Sequence, residues 1–373
     1  MFLIQTPLLV LFNFLLLLIM YLLMRPAVRY PFRTNYYNRK ITIFLSFVFV
    51  IFSFWGADWF HYLYLYPGIK AGDAGHMEDV YIYIAQNLSV DYLSFRFIIW
   101  GIGLMLIYSM FRHLSVNRNL LILMFCSIWI IWYSYARVSV AMVLSYFGML
   151  CIVKPYKHKL LSYVLGLGLL SGAVFFHKTA FFAIVCVSLT LLSLKLNRYM
   201  FLALSVIGMA AAVYLFPTLL KNFVVDSVTS DDGMLSMAMA YGAEYMSKTT
   251  SQIGLGTKVQ YLFERLPYYL LVIQCLMCMR PRVYRNIPLD VSAFMRLLVI
   301  IVFITSLFAF NMDVNTRTIY DRFLRFAAIP GAVVMAYFWE NKFYPKLTRY
   351  TFYIALAGAW YAVLYSMYCS MMS

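Results

Sequence analysis

The sequence predicts an all-α membrane protein, a polytopic bundle of about twelve transmembrane helices around an outward-facing cavity. Three observations carry this. Apolar runs long enough, or nearly long enough, to cross a bilayer recur from end to end of the 373 residues. Charged residues make up 12% of the chain, where a soluble domain has about 25%. The connecting loops alternate between basic and acidic, as they do when a chain threads a membrane repeatedly. No separate soluble domain fits, so residues 1–373 form a single integral membrane domain.

Taken in order, the first run spans 3–24 and lacks both a basic start and a small-residue cleavage site. It reads as an uncleaved span. The next runs cover 41–56, 95–111, 119–134, 138–153, 160–176, 179–194 and 199–216. The last four cover 259–279, 290–310, 321–339 and 350–369, and Pro267 is expected to kink the first of these. Short cytoplasmic loops carry an excess of Lys and Arg. Arg25 to Lys40, Arg112 with Arg118, Lys154 to Lys159, Lys195 with Arg198, Arg280 to Arg285 and Lys342 to Arg349 fill alternate loops. Those loops are therefore assigned inside, and both termini outside. The net charge of +16 is then mostly a topology signal. It is no footprint for nucleic acid, which would need cations gathered on one solvated surface.

Two long segments fall on the outer side. One, 57–94, holds Met77, Val80, Tyr81, Ile84, Ala85 and Leu88 at the three- and four-residue spacing of an amphipathic helix, expected in the membrane interface. The other, 217–258, is rich in Ser, Thr, Asp and Gly from Asp226 onward and reads as a long outer loop, either a lid or disordered. Most of the cysteines lie in apolar runs, so the pair Cys275 and Cys278 reads as packing rather than redox chemistry.

Ionisable groups near hydrocarbon are costly, by roughly 2.5–3.5 kcal/mol on the lenient scale, and mark candidate sites. Arg137 ends one run, in Tyr135-Ala136-Arg137, and His177 with Lys178 ends another, in Phe175-Phe176-His177-Lys178. For Lys178 the simpler reading is a cation snorkelling at the interface. Asp58 with His61, Glu78 with Asp79, and Arg317 with Asp321, Arg322 and Arg325 complete the outer set. On a helix from about Tyr320, Asp321, Arg322 and Arg325 share a face. Their guanidiniums match a phosphate or pyrophosphate, unless Asp321 and Arg325 simply neutralise each other. Glu264 beside Arg265 is a further candidate, read first as a structural pairing with another helix. The chain has no phosphate-loop motif, no G-x-S-x-G serine context and no H-x-x-x-H metal pair. The glycines around Gly166 and Gly168 read as helix packing.

Gly56-Ala57-Asp58-Trp59-Phe60-His61-Tyr62, Tyr135-Ala136-Arg137-Val138 and Phe175-Phe176-His177-Lys178-Thr179-Ala180 resemble, in order and spacing, the EpsG family of bacterial exopolysaccharide proteins. That family looks like a branch of the Wzy-type polymerases, which join lipid-linked repeat units on the outer face of the inner membrane. The resemblance is clearest from about 50 to 195. Val138 stands where the family usually has glutamine, so no amide adjoins Arg137.

The resemblance implies a metal-independent membrane glycosyltransferase with no cofactor, polymerising undecaprenyl pyrophosphate-linked oligosaccharide for exopolysaccharide, capsule or O-antigen. It would work in the bacterial inner membrane, its site facing the periplasm, alongside the pathway's flippase and chain-length regulator. Arg137 and His177 carry over by position; with Arg137, the charge argument assigns Arg317, Arg322, Arg325 and Lys178 to the pyrophosphate, and His177 or Asp58 takes the acceptor proton. A lipid-linked oligosaccharide flippase would also want a cationic cavity, but alternating access usually brings internal repeats, and none is evident. A membrane O-acyltransferase modifying the polysaccharide is the third reading. It would need a conduit to a cytosolic donor.

Overall fold

The computed structural model describes residues 11, 15, 18, 19, 22, 57–72, 78–125, 128, 136–208, 255–279, 286–310 and 323–372. All regular structure among them is helical. The order is α1 (Ala57–Ala71), α2 (Asp79–Tyr83), α3 (Tyr92–His113), α4 (Arg118–Met124), α5 (Ala136–Val153) and α6 (Lys159–Phe176). There follow α7 (Ala180–Lys195), α8 (Arg198–Gly208), α9 (Leu255–Cys278), α10 (Leu289–Phe310), α11 (Ala328–Glu340) and α12 (Pro345–Met372). By length and apolar composition α3, α6 and residues Leu289–Ser306 of α10 suffice to cross a membrane. Val138–Val153 of α5, together with α7 and α8, are apolar but shorter. The expected runs at 41–56, at 209–216 and over most of 3–24 lie outside the described residues, as does the outer loop up to 254.

Burial sorts the helices. Residues 139–151 of α5, 290–299 of α10 and 328–338 of α11 are buried without a break, the mark of helices apolar all round that fill a centre. By contrast α6 turns Leu160, Leu161, Val164, Leu167 and Phe175 outward. That face suits lipid. The tightest crossing joins α5 to α6 at glycines: a Cβ on Gly148 would meet the Gly166 carbonyl oxygen at 2.7 Å, and one on Gly166 would meet the Gly148 oxygen at 2.8 Å. Small residues allow such approach between membrane helices. Gly168, expected to share this role, has open space around it. Between α9 and α12, Gln274 donates to Thr351 Oγ1 (3.0 Å) and accepts from Thr348 Oγ1 (2.9 Å), so a buried amide is satisfied by its neighbour helix.

The bundle has two chemically different ends. At one, Lys154 Nζ donates to the His113 carbonyl (2.9 Å) and to Ser115 Oγ (2.7 Å), and lies 3.3 Å from buried Asp290. Asp290 also accepts from the Ser115 N–H (2.7 Å), and Glu340 accepts from the Asn117 N–H (2.9 Å). Buried Arg296 donates to the carbonyls of Ser193 and Leu196, closing the C-terminus of α7, and Tyr344 donates to the Met277 carbonyl. The ends of α3, α5, α7, α9 and α11 and the starts of α10 and α12 meet here. These are the loops that the charge pattern grouped together.

The stripe expected over 77–88 departs from a plain α-helix. After α2 the chain widens into a π-turn, Ile84–Leu88. The i→i+5 bonding slips the register by one residue. Tyr81, Ile84 and Ala85 are buried, but Leu88 is 54% exposed and Ser89 takes the inward place. Ser89 Oγ then donates to the Ala85 carbonyl (3.0 Å) and pairs with Tyr66 Oη (2.9 Å), which ties α1 to the turn.

Candidate functional site

The other end of the bundle is built around the corner between α6 and α7. Helix α6 stops because His177 is extended (φ −167°, ψ 135°), although its N–H still reaches the Ala173 carbonyl at 3.2 Å. The His177 carbonyl then accepts from the Ala180 N–H (2.9 Å) and starts α7. Its ring closes the corner: Nδ1 accepts from the Thr179 N–H (3.0 Å) and lies 2.7 Å from Thr179 Oγ1. This is a local side-chain-to-backbone bond from residue i to i+2 just ahead of α7, of the kind that shapes turns. A backbone N–H can only donate, so Nδ1 carries the lone pair and the ring proton sits on Nε2. His177 is half-buried; Lys178 is exposed.

Helix α2 docks on this corner. Tyr81 Oη donates to the Phe176 carbonyl (2.9 Å), and the two rings meet edge to face at 6.2 Å. Glu78, one residue ahead of α2, is half-buried. From the other side come the residues leading into α11. Phe323 stacks on Phe182, in the first turn of α7, at 4.2 Å, and Phe326 meets the same ring at 5.4 Å. Tyr146 of α5 donates to the Phe326 carbonyl (2.7 Å). Arg325, half-buried, lies between these two fixed rings and opens a short 3₁₀ turn, Arg325–Ala327, before α11.

Of the residues singled out from the sequence, His177 and Lys178 form the corner itself, and Glu78 and Arg325 lie on the two segments, one leading into α2 and one into α11, that pack against it. Glu264 lies on α9, which packs mainly on α12 and α10, and it is half-buried there. Asp58 and Arg137 occupy the second positions of α1 and α5, and their side chains lie outside the described residues, as does that of His61. Arg317, Asp321 and Arg322 also lie outside them.

One buried cation at this end escaped the sequence reading. Arg96, one turn into α3, is 1% exposed, and its guanidinium lies 4.0 Å from the centre of the Trp100 ring, which is itself buried. The signal was present: an arginine in the first turn of a membrane helix with an aromatic four residues on.

Fold and site together define a helical membrane protein whose ionisable groups are sorted between a basic, internally bonded end and an end carrying an oriented imidazole, a carboxylate and cations. The chain belongs to the EpsG family, whose model matches residues 36–372. EpsG-like proteins are Wzy-type polymerases, and membership makes this a membrane protein of polysaccharide biosynthesis. No curated protein and no solved structure matches the chain.

Proposed function

We propose that this chain polymerises undecaprenyl pyrophosphate-linked oligosaccharide units on the outer face of the bacterial inner membrane, for exopolysaccharide, capsule or O-antigen. The observation that supports the reading is the oriented His177 corner at the end opposite the basic loops, with the segments that carry Glu78 and Arg325 packed against it. Positive loops face the cytoplasm, which puts this corner outside.

In the reaction the anomeric carbon of the growing glycan leaves its pyrophosphate oxygen and bonds to a hydroxyl of the incoming unit. The hydroxyl proton passes to a base, and undecaprenyl pyrophosphate departs. Negative charge develops on the leaving oxygen, where preorganised cations away from bulk water stabilise it most. Arg137, Arg325 and Lys178 serve that anion, joined by Arg317 and Arg322. Asp58 and His177 are the candidate proton acceptors, with Glu78 a second carboxylate at the corner and Asp321 and Glu264 further acidic candidates. The scheme needs no metal.

The test is the polysaccharide ladder made by cells carrying Arg137→Ala or His177→Ala. Long chains are expected to vanish at unchanged protein level, leaving single lipid-linked units on the outer side. Normal ladders from both variants would reject the assignment, and units retained inside would point to a flippase.

A further inference from the structure

The corner geometry bears on whether His177 can act as the base. The Thr179 N–H points at Nδ1 from 3.0 Å, and the Thr179 hydroxyl adds a second contact at 2.7 Å. To act as a base through Nε2, the neutral ring would have to carry its proton on Nδ1. That proton would face the Thr179 N–H, donor against donor. Acting through Nδ1 is equally barred, because that lone pair is already engaged. Three features hold the arrangement: the extended backbone at His177, the bond from its N–H to Ala173 and the bond from the Ala180 N–H to its carbonyl. The ring orientation is therefore built into the α6–α7 corner.

We propose that Thr179 is a positioning residue that fixes His177 as the Nε2–H tautomer, so that His177 serves glycosyl transfer as a hydrogen-bond donor to a substrate oxygen. The inference rests on the polymerase reading above and sharpens it. The donor stabilises negative charge on the departing pyrophosphate or on a sugar oxygen, as a fixed N–H does in an oxyanion site. The ring proton stays on Nε2 throughout. The acceptor hydroxyl's proton goes to a carboxylate, for which Asp58 and Glu78 are the candidates.

The experiment pairs substitution with a readout independent of turnover. A glutamine amide can donate near the place of Nε2 but cannot take up a proton, whereas alanine does neither. His177→Gln is expected to keep ladder synthesis within roughly tenfold of wild type, and His177→Ala to lose about 10²–10³-fold, the usual cost of one such donor. If glutamine is as inactive as alanine at equal protein level, or if alanine is fully active, the donor role is overturned. Nitrogen-15 NMR of histidine-labelled full-length protein, with the His177 signal assigned by its absence from His177→Gln, reads the tautomer directly. A protonated Nε2 with a lone-pair Nδ1 is expected in wild type and in Thr179→Ser. A protonated Nδ1 in wild type overturns the proposal even if the protein polymerises normally. The polymerase reading fails separately, if wild-type protein supplied with lipid-linked units makes no ladder while the tautomer is as expected.

Discussion

Asp91 illustrates what a single side chain does at the mouth of a membrane helix. Its Oδ1 accepts from the Ser94 N–H (2.8 Å), while Ser94 Oγ accepts from the Asp91 N–H (3.0 Å), a reciprocal capping box at the start of α3. The Ser94 side chain first, and then the Ser94 backbone N–H, hold the carboxyl below its usual value of 3.8. A carboxylate more acidic in the folded state adds stability above its ordinary pKa and loses it as pH falls through the lowered value. Asp91→Ala should therefore lower the unfolding midpoint of the detergent-solubilised protein at neutral pH, and its gap to wild type should close in acid. In the sequence Asp91 is simply one more acid ahead of an apolar run. His177 was legible from its position at the end of an apolar run, but its tautomer was not, because that depends on the φ of one residue. Arg96 was less legible, because in the sequence it is a single cation within the run Phe95-Arg96-Phe97-Ile98.

At the scale of the helix, composition and period served well for α3, α5, α6, α7 and α10, where uninterrupted apolar runs leave little choice. They failed at changes of pitch. The π-turn at Ile84–Leu88 and the 3₁₀ turn at Arg325–Ala327 add or remove a fraction of a turn, and residue types carry almost no trace of that. The glycines divide along similar lines. Gly148 and Gly166 sit where a methyl would strike the opposing backbone, whereas Gly168 faces open space. Gly148→Ala and Gly166→Ala should each destabilise by about 1–3 kcal/mol, the usual range for overpacking. Gly168→Ala should be neutral or slightly stabilising, since alanine is the better helix former. Thermal unfolding of the three variants in one detergent measures the difference.

For the molecule as a whole, loop charge was the most reliable guide, since it is summed over many loops and survives error in any one. It grouped ends that the structure brings together: His113 with Lys154, Ser115 with Asp290, Asn117 with Glu340 and Ser193 with Arg296. What it could not give was the side-chain company at the opposite end, where partners come from distant parts of the chain, as Tyr81 and Phe176 do. The assigned orientation makes a direct prediction. In a background with the native cysteines replaced, exposed Lys157→Cys should react with a membrane-impermeant maleimide only after the cells are opened. Exposed Lys178→Cys should react in intact spheroplasts. The reverse pattern would invert the molecule and move the proposed site to the cytoplasm.

The burial of α10 also bears on how the protein is made. Most of Leu289–Ser306 is buried, yet these residues leave the ribosome after roughly three-quarters of the chain. Until Arg296 arrives, the carbonyls of Ser193 and Leu196 lack the guanidinium that later closes α7. The early helices thus enter the bilayer around a centre of which α5 alone has been made. A nascent chain stopped before residue 289 should be a substrate for membrane quality control, whatever the integrity of helices α1 to α9.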